Sequence, residues 1–115
     1  MHELSIALSI VELAQDEAQN RGNPRVLAVH LRLGLLTGVA RDALLSSYEL
    51  ACEDTSLAGS RLVIEEIPGS VFCPVCDAKR RVSSPEWFHC SVCGGVASDI
   101  VEGRELEVVA LEVEP

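Results

Sequence analysis

Apolar residues recur at three- to four-residue spacing in two segments of the chain, which predicts two amphipathic helices. The first helix is expected over residues 4–19, and Gly22 and Pro24 mark its end. Its buried stripe is predicted to comprise Leu4, Leu8, Val11 and either Ala14 or Ala18, with Ala7 beside them. The second helix is expected over residues 39–53. Its buried positions are predicted to be Ala43, Leu44, Tyr48, Ala51 and Cys52.

Three further segments have the alternating or β-branched pattern that is typical of strands. Residues 26–36 alternate between Leu27, Val29, Leu31 and Leu33 on one face and Ala28, His30 and Arg32 on the other. Residues 60–67 and 105–113 have the same character, and Val109, Leu111 and Val113 are expected to share one face. The order helix, strand, helix, strand, insertion, strand predicts an α+β fold, a three-stranded sheet with two helices on one face.

The insertion, residues 70–103, bears four of the five cysteines. A segment of about thirty residues buries too little surface to offset its conformational entropy, so it normally needs a metal or disulfides to stay folded. We therefore predict two domains. Residues 1–69 and 104–115 form an α/β domain, and residues 70–103 form an inserted zinc-ribbon-like lobe.

The four cysteines form two CxxC pairs, Cys73 with Cys76 and Cys90 with Cys93, separated by thirteen residues. Each pair places two sulfurs on one tight turn, and two such turns facing each other make a tetrahedral cage suited to zinc. A closed shell of four thiolates leaves no position for water or substrate, so the zinc is expected to be structural and not catalytic.

Other interpretations of the cysteines fit less well. A redox dithiol is a single CxxC between a strand and a long helix, and a disulfide framework would leave one of five cysteines over. Cys52 is expected to be a buried small apolar residue. His89 could replace a cysteine or hydrogen-bond to a thiolate, but a solvated histidine is the expectation.

Charge and hydropathy narrow the classes of partner. A formal net charge of -9 repels phosphate backbones, so nucleic acid is not expected as a ligand. No apolar run is long enough for a membrane span, and the first twenty residues contain no lysine or arginine that would begin a secretory signal. A cytoplasmic location is expected.

The main rival interpretation is a zinc-ribbon module that binds protein or nucleic acid. The cations Lys79, Arg80 and Arg81, near Trp87 and Phe88, would be its contact surface. We expect these cations to form a solvated turn or a protein-docking edge instead. An enzyme is not expected, since the chain has no glycine-rich phosphate loop, no HExxH and no serine elbow.

The first three residues, Met1, His2 and Glu3, offer a chelate for a metal ion. Removal of an initiator methionine generally requires a small second residue, so Met1 should be retained and its α-amine lies one residue from an imidazole. The amine, the ionised amide of His2 and its imidazole can surround one ion, and the amide or carboxylate of Glu3 completes the shell. Nickel(II) favours such nitrogen-rich tetragonal sites. Because the ligands must lose protons, the site should weaken as pH falls.

The chain resembles the HypA/HybF family of hydrogenase nickel-incorporation proteins. The resemblance rests on the opening Met-His-Glu, the segment 34–39, the strand end at 64–68, the paired CxxC motifs and the terminal strand at 106–114. One departure is Gly34-Leu35-Leu36, where the family often has Gly-Glu-Leu, which puts the role of a carboxylate there in doubt.

The resemblance implies a nickel metallochaperone that acts in hydrogenase maturation. Nickel, the transferred cargo, would bind at His2 with Met1 and Glu3 contributing, and structural zinc would bind at Cys73, Cys76, Cys90 and Cys93. The implied recipient is the large subunit of NiFe hydrogenase and the implied partner is a HypB-type GTPase. Supply of urease accessory proteins is the other client that the family allows. An exposed sheet edge would also permit a homodimer.

Overall fold

In a computed structural model, which describes residues 2–82 and 88–115, two helices and two three-stranded sheets form the fold. The elements are α1 His2–Gln19, β1 Val26–Gly34, α2 Arg41–Cys52, β2 Arg61–Ile67, β3 Gly69–Cys73, β4 Ala78–Val82, β5 Asp99–Glu102 and β6 Leu106–Val113. One sheet has the strand order β2-β1-β6 and the other has the order β4-β3-β5. The predicted α+β class, with a three-stranded sheet, two helices and a separate cysteine-bearing lobe, is confirmed.

The chain divides into two compact units. The first contains Met1–Leu31, Val39–Ile64 and Val108–Pro115, and the second contains Arg32–Gly38 and Glu65–Glu107. The second unit therefore includes the whole of the predicted insertion together with short flanking segments. The domain boundaries inferred from the sequence stay a prediction.

Helix α1 contacts α2 and buries a stripe that is rich in alanine. Its buried residues are Ala7, Ile10, Val11, Ala14 and Ala18. The prediction that Leu8 is buried is wrong, because Leu8 follows Ala7 by about 100° around the helix and is 52% exposed. The helix ends as predicted: the N–H of Asn23 donates to the carbonyl of Ala18 at 2.8 Å, and Gly22 has a φ of 83°.

Helix α2 buries four residues, Leu44, Tyr48, Ala51 and Cys52. Ala43 was expected among them but is exposed, since it precedes Leu44 by one position on the helix. The hydroxyl of Tyr48 lies 2.7 Å from the hydroxyl of Ser60, which in turn donates to the carbonyl of Leu57 at 2.6 Å. Burial raises the pKa of Tyr48. This network fixes the segment between α2 and β2.

Strand β1 does not alternate as the sequence predicts. Leu27 is 36% exposed and Ala28 is fully buried, the reverse of the expectation, whereas the burial of Val29, Leu31 and Leu33 agrees with it. His30 and Arg32 are half-buried on the polar face.

Strand β6 also departs from alternation. Val109 and Val113 are exposed, and Leu111 is half-buried. Glu107 pairs with Arg32 at 3.1 Å and Glu112 pairs with His30 at 2.7 Å.

The second sheet is antiparallel and was not predicted, because the sequence suggested a loop-rich insertion. Strand β3 pairs with β4 from Gly69 opposite Val82 to Cys73 opposite Ala78. It pairs with β5 on its other side. A small core lies in this lobe, formed by Val71, Cys73, Val82, Cys90 and Ala97. Two of its five members are ligand candidates, so the core and the predicted metal site are built from the same residues.

Candidate metal centre

The first CxxC pair lies at the turn between β3 and β4. Cys73 ends β3, and its sulfur accepts a hydrogen bond from the N–H of Cys76 at 3.4 Å. Asp77 follows with a φ of 52°, which reverses the chain into β4. Cys76 is thereby turned back over Cys73.

The second CxxC pair lies on a short hairpin. The N–H of Cys90 donates to the carbonyl of Gly95 at 2.8 Å, and the N–H of Gly94 donates back to Cys90 at 2.9 Å. Gly94 has a φ of 74°, a conformation that glycine adopts without steric cost. The N–H groups of Val92 and Cys93 point at the sulfur of Cys90, and that of Gly95 points at Cys93, each at 3.4 Å.

The four sulfurs form one group in which all lie within 4.8 Å of one another. The sulfurs of Cys73 and Cys93 are 3.6 Å apart, and those of Cys76 and Cys90 are 3.8 Å apart. A tetrahedral zinc ion with Zn–S bonds of about 2.3 Å requires sulfurs roughly 3.8 Å apart, whereas a disulfide requires about 2.05 Å. The four cysteines are therefore positioned to bind a structural metal such as zinc.

The thiols differ in acidity in the metal-free lobe. Backbone N–H donation, first from Cys93 and then from Val92, together with Arg80, lowers the pKa of Cys90 to about 6. Gly95 N–H donation lowers the pKa of Cys93, but sharing of hydrogen bonds with Cys73 and Cys90 outweighs it and raises this pKa to about 11. A bound metal would deprotonate all four thiols.

Arg80 is the residue of this site that sequence reasoning missed. Lys79, Arg80 and Arg81 were expected to form a solvated turn or a protein-docking edge, and they lie in strand β4 and not in a turn. Lys79 pairs with Glu102 at 2.6 Å, which lowers the pKa of Glu102. Interaction with the side chains of Cys90 and Cys76 raises the pKa of Arg80. The signal in the sequence was the alternation of faces along a strand. In a strand, the middle one of three successive cations lies on the opposite face from the other two.

His89, Trp87 and Cys52 were the other candidates near or outside the cysteine group. His89 is half-buried and forms a β-bridge with Val96, and it is not a member of the four-cysteine group. Trp87 lies outside the described residues. Cys52 is buried in α2 and is likewise not part of the group, as expected.

The N-terminal candidates are not gathered into a side-chain cluster. His2 is the first residue of α1 and is exposed, and Met1 lies outside the described residues. The carboxylate of Glu3 accepts a hydrogen bond from the N–H of Ala40 at 3.2 Å, and this bond lowers the pKa of Glu3. In residues 2–82 and 88–115, the four cysteines are the sole group of three or more potential side-chain ligands.

Comparison with known proteins decides the family. Residues 1–113 match the model of the family described as hydrogenase/urease nickel incorporation, metallochaperone, HypA. The chain belongs to the HypA family. The hydrogenase maturation factor HypA of Chloroflexus aurantiacus is 53% identical over 112 residues, which are 97% of this chain and 98% of that relative. The HypA of Streptomyces avermitilis is 40% identical over 99% of this chain and 88% of its own.

Solved structures of HypA proteins share the fold. A solution structure of HypA has a TM-score of 0.72 at 20% identity and covers 99% of this chain and 97% of its own. A solution structure of the Ni metallochaperone HypA from Helicobacter pylori has a TM-score of 0.66 at 18% identity and covers 96% of each chain. Identity at this level supports the fold alone.

Membership of the HypA family gives the chain a nickel-incorporation role in hydrogenase maturation, with hydrogenase-related partners. The family consists of maturation factors and metallochaperones, not enzymes. Within the described part of the chain, neither helix is long and apolar enough to cross a membrane.

Proposed function

We propose that this HypA family member binds nickel(II) at Met1, His2 and Glu3 and delivers it to the large subunit of NiFe hydrogenase. The observation that carries the proposal is an exposed imidazole at the first position of α1, in a chain that matches a nickel-incorporation family over residues 1–113. The metal is cargo, so its site must be accessible to a recipient. The role of Met1 depends on a free α-amine.

The start of a helix suits this chelate. The first N–H groups of an α-helix have no intrahelical acceptor, so the amides of His2 and Glu3 are available to a metal without breaking the helix. The positive end of the helix macrodipole favours loss of their protons and of the proton on the amine. Nickel then receives nitrogen ligands in the tetragonal arrangement that it prefers.

The carboxylate of Glu3 has a different task in this proposal. It accepts the hydrogen bond from Ala40, which is the N-cap of α2 and has no side-chain cap of its own. Glu3 would therefore contribute its amide to nickel and use its carboxylate to hold the start of α1 beside α2.

Zinc has the complementary role. Cys73, Cys76, Cys90 and Cys93 would hold it in a closed thiolate shell, which stabilises the lobe and offers no open coordination position. An open chelate of few ligands suits transfer, whereas a closed cage suits structure. Nickel delivery would therefore depend on the amino-terminal site, and folding of the lobe would depend on the zinc site.

Delivery would take place in the cytoplasm with a HypB-type GTPase as partner. Urease accessory proteins are the alternative client, which agrees with the hydrogenase/urease wording of the family description. Transfer is tested by mixing nickel-loaded protein with metal-free hydrogenase large subunit, with and without the GTPase, and measuring nickel in the separated large subunit. Failure of nickel to reach the large subunit under both conditions would refute delivery.

The binding site is tested by isothermal titration of zinc-loaded protein with nickel. His2→Ala should abolish high-affinity binding while leaving zinc content and helicity unchanged. His30→Ala is the matched control, because His30 pairs with Glu112 and has no part in the proposed chelate. Equal nickel affinity in the two variants would refute the assignment of His2.

The nucleic-acid version of the zinc-ribbon interpretation finds little support. Of its three basic residues, Lys79 pairs with Glu102 and Arg80 is engaged by cysteine sulfurs, which leaves the exposed Arg81. Counterion release by one cation is a weak source of affinity in a chain of net charge -9.

A further inference from the structure

Strand pairing places Arg80 on the metal side of the second sheet. Arg80 lies opposite Val71, and Cys73 lies opposite Ala78, so Arg80 shares a sheet face with both Val71 and Cys73. Val71 is fully buried, which identifies this face as the one that packs on the lobe's core. Arg81, one residue further on, lies on the other face and is exposed.

The side chain of Arg80 is placed for a charged partner. Its Nε is buried and has no hydrogen-bond partner among the residues that the structure describes. The core on this side of the sheet contains Cys73 and Cys90, with Cys76 packed against it, and interaction with Cys90 and Cys76 raises the pKa of Arg80. A buried guanidinium nitrogen is costly unless an anion lies close to it. A guanidinium that only formed an ion pair at the surface would not need a buried Nε.

The charge balance of the cage supplies that anion. Four thiolates carry four negative charges, and a zinc ion offsets two of them, so the filled cage retains a net charge of about -2. Backbone N–H groups donate to the sulfurs of Cys73, Cys90 and Cys93. These are neutral donors, whereas Arg80 would add a full positive charge and a donor for Cys76.

We propose that Arg80 is an outer-sphere partner of the zinc–thiolate cage that hydrogen-bonds to Cys76 and Cys90, offsets the negative charge of the cage and slows the release of zinc. The inference rests on the proposed zinc site and adds a positioning residue to it. A cationic hydrogen-bond donor lowers the electron density on the sulfurs, which makes them weaker targets for protons and competing electrophiles. Zinc is thereby held while nickel is exchanged elsewhere in the same protein.

Three full-length variants test the proposal: Arg80→Met removes the charge and keeps the aliphatic stem, Arg80→Lys keeps the charge, and Arg81→Met removes a neighbouring charge from the opposite face. Zinc affinity and release rate are measured by competition with a chromophoric chelator. Arg80→Met should weaken zinc binding by about 10- to 100-fold, the range found for loss of an outer-shell partner. Arg80→Lys should recover part of the loss, and Arg81→Met should match the unmodified protein.

A spectroscopic readout separates this role from a merely structural one. With cobalt(II) in place of zinc, loss of a hydrogen bond to a thiolate should move the sulfur-to-cobalt charge-transfer band to lower energy in Arg80→Met but not in Arg81→Met. Identical bands and zinc release rates in these two variants would overturn the proposal, as would an Arg80→Lys variant no better than Arg80→Met.

Failure of the zinc assignment has a different signature. If the unmodified protein binds no zinc, or if Cys76→Ser binds it equally well, the cage itself is refuted and the role of Arg80 falls with it. If Cys76→Ser loses zinc and Arg80→Met does not weaken it, only the role of Arg80 is refuted.

Discussion

Replacement of Gly34 by alanine tests how closely two backbone segments approach each other in the second unit. The N–H of Gly34 donates to the carbonyl of Glu105 at 2.7 Å, and the N–H of Leu36 donates to the carbonyl of Gly103 at 2.7 Å. A Cβ at Gly34 would lie 2.0 Å from the oxygen of Gly103 and 2.1 Å from its carbonyl carbon. The obstructing atoms are backbone, so no side-chain rotation relieves the clash.

The expected cost follows from this geometry. Cβ atoms essentially never approach a heavy atom within 3.0 Å, so the segment at Gly103 must retreat by about 1 Å and stretch its bond from Leu36. Overpacking that side chains can absorb costs about 1–3 kcal/mol. A clash against backbone should cost about 3 kcal/mol, which is a substantial part of the 5–15 kcal/mol that stabilises a typical domain.

The assay is thermal unfolding of zinc-saturated protein followed by circular dichroism. A loss of about 3 kcal/mol should lower Tm by roughly 12 °C in a chain of this size. Gly22→Ala is the matched comparison, because Gly22 has a φ of 83° but nothing within 4 Å of its would-be Cβ. Its cost is conformational alone, about 1 kcal/mol. If Gly34→Ala lowers Tm no more than Gly22→Ala does, the close approach at Gly103 is refuted.

Three further substitutions have expected outcomes. Tyr48→Phe removes the hydrogen bond to Ser60 and should cost about 1 kcal/mol in urea unfolding, and an unchanged midpoint would contradict the network. Glu3→Gln should leave nickel affinity unchanged. The hydrogen bond from Ala40 lowers the pKa of Glu3 below its ordinary value of 4.5. The ionised carboxylate therefore stabilises the fold at pH values above 4.5, and this stabilisation is lost as pH falls through the lowered pKa. The variant lacks the carboxylate, so its stability should fall less in an acid titration. Cys52→Ala should keep one zinc per chain by elemental analysis, and loss of zinc would place Cys52 in the metal site.

The order and type of the larger elements could be predicted from the sequence because they depend on local features. These features are the period of the hydrophobic residues and the glycine and proline residues at the ends of elements. Both helices and the strands β1, β2 and β6 were found, with no end displaced by more than two residues. Individual burial was less predictable. Leu8, Leu27 and Ala43 were placed inside but are exposed or half-exposed, since long-range packing selects which of two adjacent positions faces the core.

The three strands of the cysteine-bearing lobe could not be predicted from hydrophobic pattern. Strand β4 carries three consecutive cations and β5 has four residues, so neither has the run of apolar side chains that marks a strand. Strands β4 and β5 are instead held in place by their pairing with β3 and by the turns at the cysteines.

The candidate metal centre could likewise be predicted only in part. The grouping of the four cysteines followed from their spacing, because each CxxC forms its turn locally and the pairing of the two turns is the common solution. The approach of Arg80 depends on which face of β4 meets the core, and the capture of Glu3 by Ala40 joins positions 37 residues apart. Alternation separates Arg80 from its two neighbours but does not show which face meets the core, and the contact of Glu3 with Ala40 leaves no mark in local sequence.

Nickel binding through the amino terminus is measured most directly by calorimetric titration of two zinc-loaded proteins. One begins at Met1 with a free α-amine, and the other carries a short extension that moves the amine away from His2. Only the first protein should bind nickel tightly, with release of protons and with affinity that falls as pH is lowered. Equal affinity in both proteins, or binding in neither, would refute a nickel site at the amino terminus.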